Sequence, residues 1–171
     1  MSSVHNDAPG EPFVKRRDEG PAYHALGAVA ILKATAEETG GSFSLVERRG
    51  DEGSVVTPLH VHRSEDELWY VLDGEIELYV DGSIVSATAG DTAFTPHGVP
   101  HAFRIAADGT RYLICRSPGN ETFFEDVGTS VADPSGPAPE PTDAEWARVE
   151  AVVDKYGIEI LGPPPFDDAA L

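Results

Sequence analysis

The sequence predicts an all-β domain, an antiparallel sandwich or barrel, on three observations. Turn signals recur at spacings of roughly eight to twenty residues, at Asp73-Gly74, Asp81-Gly82, Ala89-Gly90-Asp91 and Asp108-Gly109. β-Branched and aromatic residues fill the intervals between these turns. The stretch GSFSLVER alternates apolar and polar positions with a period close to two. Short strands separated this regularly are typical of sandwiches and barrels, and two of the Asp-Gly pairs suit tight hairpins.

Composition narrows the class of protein. The 171 residues are enough for one domain with its own core. The net charge is -18, which repels phosphate backbones and anionic lipids, so we expect neither nucleic acid nor a membrane as a partner. Cys115 is the single cysteine, which excludes an internal disulfide, and we expect it to be a small buried apolar residue. With no apolar leader or membrane-length segment, the expected location is cytoplasmic.

The chain divides into three parts by composition and hydrophobic pattern. Residues 1–23 mix Pro, Gly and charge and predict an irregular arm. Residues 24–128 hold the strand-like segments; ALGAVAILKAT is ambiguous, because Ala and Leu favour helix, but its place before a TGG turn favours a strand. Residues 129–171 contain a Pro-rich connector, a helix and a tail that we expect to pack on the barrel.

The segment TDAEWARVEAVVDKYG predicts a helix with both ends marked. Thr142 and Glu145 have the spacing of a capping box, and Gly157 is suited to the end of the helix. Its apolar face predicts packing contacts through Trp146, Val149, Val152, Val153 and Tyr156. The following IEILGPPPF predicts a short closing strand.

The histidines near residue 60 carry the candidate chemistry. His60 and His62 are one residue apart on an extended stretch, so their side chains point to the same side. Glu67 begins the next predicted strand, and His101 begins another strand roughly forty residues later. Three imidazoles and one carboxylate that converge would form a site for a divalent first-row metal. Taken singly, each of these residues is more simply explained as a surface or core side chain than as a metal ligand.

Two motifs around these residues resemble those of the cupin family. The first, a Gly, a His-x-His pair, a Glu and a Gly, is present as Gly53, His60, His62, Glu67 and Gly74. The second is present as Gly90, Pro96, Gly98 and His101. The spacing after Gly53 is one residue longer than the family pattern, and Ile105 stands where asparagine is frequent. Neither departure removes an implied ligand.

The resemblance implies a double-stranded β-helix (jelly-roll) barrel with a short C-terminal helix. It also implies one divalent transition metal bound by His60, His62, Glu67 and His101, namely nickel, iron, manganese, cobalt or copper, or zinc if the chemistry is not redox. We expect a substrate pocket lined by Phe43, Leu45, Trp69, Val71, Phe94, Phe103 and Ile105. Glu65 and Asp66 are more simply solvent-facing turn charges than groups that orient the imidazoles.

Within the family the chain most resembles small single-domain cupins related to quercetin (flavonol) dioxygenases. This implies a dioxygenase that uses O2 to cleave a flavonol-like or other enolisable aromatic or dicarbonyl compound, with Glu67 as the catalytic base. A non-redox isomerase, cyclase or lyase using Glu67, and a non-catalytic binding protein, remain alternatives. The few cationic residues near the motifs argue against sugar phosphates, although Arg111 and Arg116 could reach a carboxylate. Barrel edges tend to be covered, here by the N-terminal arm or by a second subunit, and we expect a homodimer.

Overall fold

The structure is a computed structural model and describes residues 10–166. The beginning of the predicted arm, residues 1–9, and the end of the tail, residues 167–171, lie outside the described residues. The strands are β1 (Ala22–Ala25), β2 (Ala28–Ala34), β3 (Ser44–Gly50), β4 (Leu59–His62), β5 (Glu67–Asp73), β6 (Glu75–Val80), β7 (Ser83–Thr88), β8 (Thr92–Thr95), β9 (His101–Ile105), β10 (Thr110–Arg116), β11 (Thr129–Ser130) and β12 (Ile158–Gly162). The helices are a 3-10 turn (Asn120–Thr122), α1 (Phe123–Val127) and α2 (Asp143–Val152).

The strands form two antiparallel sheets that face each other. One has seven strands in the order β11-β1-β2-β3-β10-β5-β8, and the other has five in the order β12-β4-β9-β6-β7. The chain changes sheet at each step from β3 to β6 and again from β7 to β10. This is the predicted jelly-roll barrel. Within residues 10–166, no helix is long and apolar enough to cross a membrane.

The Asp-Gly pairs have two different roles. Asp81 and Gly82 both have positive φ and join β6 to β7 as a two-residue hairpin. Gly74 and Gly109 instead join strands that lie in different sheets, so they form corners of the barrel. The prediction of two Asp-Gly hairpins is therefore wrong for one of them. A corner needs the same positive φ as a hairpin, so the local sequence signal is the same.

The inner faces of the sheets enclose an apolar core. On β5, Trp69 and Val71 are completely buried while Leu68 and Tyr70 are partly exposed, which matches the predicted alternation. The segment predicted as a strand from ALGAVAILKAT is β2. The core between the sheets consists of Ala28, Val55, Trp69, Val71, Ile76, Leu78, Ala87, Phe103, Ile105, Tyr112 and Ile114.

A second apolar cluster forms where the helices pack on the barrel. It joins side chains of α1 and α2, among them Phe124 and Val149, to side chains of β1, β2 and β3. The hydroxyl of Thr142 accepts a hydrogen bond from the Glu145 amide, as predicted. The Glu145 carboxylate does not complete the capping box, because it accepts a hydrogen bond from the Leu26 amide at 2.6 Å. This contact ties α2 to the β1–β2 turn.

Candidate metal centre

Four side chains with metal-binding atoms converge inside one end of the barrel. His60 and His62 lie on β4, Glu67 begins β5, and His101 begins β9. His60 and His101 are direct partners across the β4–β9 pair. One donor atom from each of the four side chains lies within 4.8 Å of the other three, and all four side chains are buried. The structure thus brings together the four residues that the motifs single out.

Hydrogen bonds fix the orientation of two of the imidazoles. The Nδ1 atom of His60 lies 2.8 Å from the Pro58 carbonyl oxygen, and Nδ1 of His101 lies 2.9 Å from that of Val99. A carbonyl oxygen can only accept a hydrogen bond, so each Nδ1 carries the proton. The Nε2 lone pairs therefore remain available within the cluster, which is the arrangement that a metal-binding histidine needs.

A buried pair of charges lies against the third imidazole. Glu65 Oε2 is 2.9 Å from His62 Nδ1, although not in the alignment of a hydrogen bond. Glu65 accepts two hydrogen bonds of 2.7 Å from Arg116, whose Nε is also 3.5 Å from Glu67 Oε1. The expectation that Glu65 is a solvent-facing turn charge is wrong, because this side chain is buried behind the candidate ligands. The neighbouring Asp66 is exposed, as expected.

The protonation states of the cluster suit a metal ion. Burial raises the pKa of Glu67, but its contacts with the His101 and His62 rings and with the charged Arg116 more than compensate, so this pKa lies below its usual range. Burial, together with the neighbouring His101, lowers the pKa of His60 to about 4. At neutral pH Glu67 is therefore ionised and His60 is neutral, and metal ligation requires both states.

The donor set also fits a divalent first-row ion in composition and size. Three imidazole nitrogens and one carboxylate oxygen are borderline to hard ligands, which suit nickel, iron, manganese, cobalt, copper or zinc. Two donors about 2.1 Å from one ion can be at most about 4.2 Å apart, so the cluster would contract by about half an ångström on binding. Four protein ligands would leave up to two positions of an octahedral ion for other molecules.

A cavity of about 310 Å³ opens beside the cluster. Its volume lies near the lower end of the range of about 300–1,000 Å³ that is typical of small-molecule sites. His60, His62 and Glu67 form part of its wall, and Phe103 is the predicted pocket residue that also lines it. The rest of the wall is largely apolar and includes Ile114, Phe123, Phe124, Val149 and Ile158. The cavity can therefore hold one small, mostly apolar molecule against the cluster.

Three further predicted pocket residues lie in the barrel interior but do not line this cavity. Trp69, Val71 and Ile105 are completely buried in the core between the sheets. The ring centroids of Trp69 and His101 are 5.9 Å apart, so this tryptophan packs beside the cluster. These residues support the site through packing, whereas Phe103 forms part of the cavity surface.

The prediction that Phe43, Leu45 and Phe94 face the interior is wrong. Phe43 is 43% exposed and Phe94 is 58% exposed. The inward positions of β3 begin with Ser44, so the residues on either side of it, Phe43 and Leu45, face outward. Phe94 pairs with the outward-facing Leu68. Period-two patterning identified the strand correctly but assigned the wrong face to the core, because Ser44 is polar.

Sequence reasoning missed Arg48, a buried cation in the cavity wall. Arg48 lies on the inner face of β3, two residues after the core residue Val46, and is 2% exposed. Strand alternation from Val46 would have found it. The run of charge in Glu47, Arg48 and Arg49 concealed it, because such a run usually predicts a solvated face.

Comparison with known proteins agrees with the fold and with the motifs. The family model described as the cupin domain matches residues 50–115. This stretch contains the four converging side chains and most of the inner barrel strands. The chain therefore contains a cupin domain.

Among individual proteins, the chain is similar to quercetin 2,3-dioxygenase of Bacillus subtilis (strain 168). The two are 33% identical over 147 residues, which is 84% of this chain and 43% of the relative. The chain thus spans less than half the length of this relative. This similarity extends beyond the residues matched by the cupin domain.

Solved structures show the same architecture. An RmlC-like cupin from Shewanella frigidimarina is 27% identical, with a TM-score of 0.51 over 63% of this chain and 89% of that one. A predicted oxalate decarboxylase from Thermotoga maritima is 21% identical, with a TM-score of 0.54 over 62% of this chain and 99% of that one. The second likeness concerns the fold alone.

Proposed function

We propose that this protein is a metal-dependent dioxygenase that cleaves a flavonol-like or other enolisable aromatic or dicarbonyl compound. The observation that carries the proposal is the position of a three-histidine, one-carboxylate cluster in the wall of a largely apolar cavity. The similarity to the quercetin 2,3-dioxygenase of Bacillus subtilis supports oxygen chemistry at that cluster. A dioxygenase places both atoms of O2 in its product, so the reaction needs no external reductant.

His60, His62, Glu67 and His101 would hold the metal. When bound, a redox-active divalent ion would stabilise the deprotonated substrate and make it reactive toward O2. The Nδ1 hydrogen bonds of His60 and His101 to backbone carbonyls keep both rings oriented before the metal arrives. In both cases the carbonyl that accepts the hydrogen bond lies two residues before the histidine, so the local backbone sets the orientation of the ring.

Glu67 is the base in this proposal. Its Oε2 atom lies 3.4 Å from His101 Nε2 and 3.6 Å from His62 Nε2, whereas Oε1 faces Arg116. The carboxylate lies in the cavity wall and is ionised at neutral pH, so one of its oxygens can accept the proton of an enol hydroxyl. The contact with Arg116 limits the directions in which the carboxylate can move.

The rest of the wall positions an aromatic substrate and excludes water. Phe103, Phe123 and Phe124 provide aromatic surface around the cavity. Trp146 also lines the cavity but is 37% exposed, which places it where the cavity meets the solvent. An enolate bound beyond Trp146 would be in a site with little competing water, where charge interactions are strong.

The test is oxygen uptake by protein reconstituted separately with nickel, iron, manganese, cobalt or copper. Quercetin and a simple 1,3-diketone are the substrates. We expect uptake with at least one metal and its loss in His101→Ala and in His60→Ala. The matched control is His97→Ala, because His97 is exposed and contacts Asp66 rather than the cluster. Uptake unchanged in His101→Ala would refute the proposal.

The same assay distinguishes the dioxygenase from the non-redox alternative. Anaerobic turnover of the diketone by zinc-loaded protein would assign Glu67 to proton transfer without oxygen chemistry. Saturable binding of both compounds with no product under either condition would leave a binding protein. The homodimer and the cytoplasmic location remain predictions from the sequence.

A further inference from the structure

Arg48 is a buried cation without an acidic partner. Its side chain is 2% exposed, and Nη2 donates a hydrogen bond to the Ala25 carbonyl at 2.7 Å. Its Nε atom is buried and has no hydrogen-bond partner. Across residues 10–166, no carboxylate comes within ion-pair distance of this guanidinium. A charge in such surroundings is unfavourable unless something compensates it.

Comparison with Arg116, in the wall of the same cavity, shows that the lack of an acidic partner at Arg48 is unusual. The guanidinium carbons of Arg48 and Arg116 lie 4.7 Å and 5.6 Å from the centroid of the same ring, that of Phe124. Arg116 is neutralised by Glu65 through two hydrogen bonds of 2.7 Å. Arg48 has the same aromatic neighbour but no equivalent of Glu65. Burial lowers the pKa of Arg48, which is the expected effect of this isolation.

The nearby acid of α2 is already engaged elsewhere. Glu145 contributes to the electrostatic surroundings of Arg48. Its Oε1 atom, however, accepts a hydrogen bond of 2.6 Å from the Leu26 amide. This contact ties the β1–β2 turn to α2, and the carboxylate forms no ion pair with the guanidinium. The charge of Arg48 therefore remains available to a molecule that enters the cavity.

Arg48 lines the same cavity as the metal cluster. It shares that wall with His60 and Glu67. Tyr112, its direct partner on β10, has a hydroxyl that is also buried without a hydrogen-bond partner. Buried donors without a partner are rare in folded proteins and call for an explanation. Tyr112 belongs to the core between the sheets, whereas Arg48 lines the cavity, so the guanidinium with its unpartnered Nε is the group placed to receive an acceptor.

We propose that Arg48 binds the carboxylate of an organic acid in this cavity, so that the substrate is an enolisable aromatic or dicarbonyl acid. The enol end would face the metal cluster, and that part rests on the proposed function; the carboxylate site does not. A planar guanidinium matches a carboxylate in geometry as well as in charge. The net charge of -18 otherwise repels anions, so an acidic substrate needs a local cation of this kind.

The test measures binding by calorimetry, without turnover, in metal-free protein and in zinc-loaded protein. The probes are benzoate and its neutral counterpart benzamide. We expect benzoate to bind more tightly than benzamide to both forms. Arg48→Met should weaken benzoate binding by roughly 10- to 100-fold and leave benzamide unchanged. The matched control is Arg111→Met, which removes the same charge from the outer face of β10.

Several results would overturn the inference. These are equal binding of benzoate and benzamide, equal binding of benzoate by wild type and Arg48→Met, and displacement of benzoate by chloride or phosphate at similar concentrations. If Arg48→Met does not fold, Arg48→Lys replaces it, because lysine keeps the charge but not the planar fork; benzoate binding must then weaken by a smaller factor. Unchanged affinity in Arg48→Lys would also count against the site.

Failure of this inference can be told apart from failure of the proposed function. Arg48-dependent benzoate binding without oxygen uptake under any metal would uphold the carboxylate site and refute the dioxygenase. Oxygen uptake with quercetin that persists in Arg48→Met, together with no preference for benzoate, would uphold the dioxygenase and refute the carboxylate site.

Discussion

Arg116 and Glu65 form a two-point ion pair, with both nitrogen–oxygen distances at 2.7 Å, directly behind the candidate metal ligands. Glu65 also approaches His62, and Arg116 approaches Glu67, so the pair touches two of the four ligands. Burial opposes the charge of Arg116, but Glu65 and Glu67 raise its pKa above the usual range. Burial likewise opposes the charge of Glu65, but Arg116 holds its pKa below the usual range. The pair therefore stays charged at neutral pH.

Replacing Glu65 with glutamine should destabilise the protein strongly. The change removes the two short hydrogen bonds to a charged partner and leaves the buried Arg116 with only the longer contact to Glu67 at 3.5 Å. Removing one partner of a buried ion pair typically costs about 3–5 kcal/mol of unfolding free energy. Urea denaturation of the metal-free protein measures this difference. Asp66→Asn is the control, because Asp66 is the adjacent acid and is exposed. Equal stability of the two variants would show that the pair contributes little.

Metal loading should depend on the histidines of the cluster and not on the exposed His97. We expect about one divalent ion per chain in the wild type and little in His60→Ala or His101→Ala, measured by elemental analysis after dialysis. His97→Ala should keep the ion. Because the folded site binds the ion and the unfolded chain does not, an ion at 1,000 times its dissociation constant should add about 4 kcal/mol of stability. A variant lacking His101 that still binds one ion per chain would contradict the assignment.

The strands and the shared face of His60 and His62 could be predicted because local signals determine them. Positive-φ turns at Gly74 and Gly82 delimit the strands, and period-two spacing places His60 and His62 on one side. The convergence of His101 with them depends on the pairing of β4 with β9. The sequence indicates that pairing through the resemblance to the cupin motifs and not through any local pattern.

The residues that sequence reasoning misplaced depend on tertiary contacts. Glu65 lies in a turn, where charge usually faces solvent, and it is buried because Arg116 reaches it from β10. Arg48 stands in a run of charges yet faces inward. Phe94 is aromatic but pairs with Leu68 on the outer face. For Glu65 and Phe94 the partner is distant in sequence, so local pattern alone could not reveal the side chain's position, whereas strand alternation from Val46 does place Arg48 inward.

The start of α2 offers a local test of the helix that closes the cavity. Thr142→Ala removes the hydroxyl that accepts a hydrogen bond from the Glu145 amide. We expect a loss of about 1 kcal/mol in unfolding free energy, measured by urea denaturation, and recovery of most of it in Thr142→Asn. No loss in the alanine variant would mean that the Glu145–Leu26 contact fixes the helix start by itself.

Two glycines with nearly the same backbone conformation should differ sharply in their tolerance of alanine. Gly74 has φ of +77° and Gly82 has φ of +78°. A Cβ atom at Gly82 would meet nothing within 4 Å, whereas one at Gly74 would overlap Thr110 Oγ1 and lie 2.7 Å from Thr110 Cα. Thr110 cannot move aside easily, because its buried hydroxyl donates to the Ala107 carbonyl and accepts from the Glu75 amide.

We therefore expect Gly82→Ala to cost about 1–2 kcal/mol, the penalty for a left-handed residue with a Cβ atom. Gly74→Ala should cost clearly more, because about 1–3 kcal/mol of overpacking adds to the same backbone penalty. Urea denaturation of the two variants side by side measures the difference. Equal losses would mean that the β5–β6 corner can relax away from Thr110. A larger loss at Gly74 would show that this corner fixes the path of the chain between the two sheets, and with it the strand that begins at Glu67.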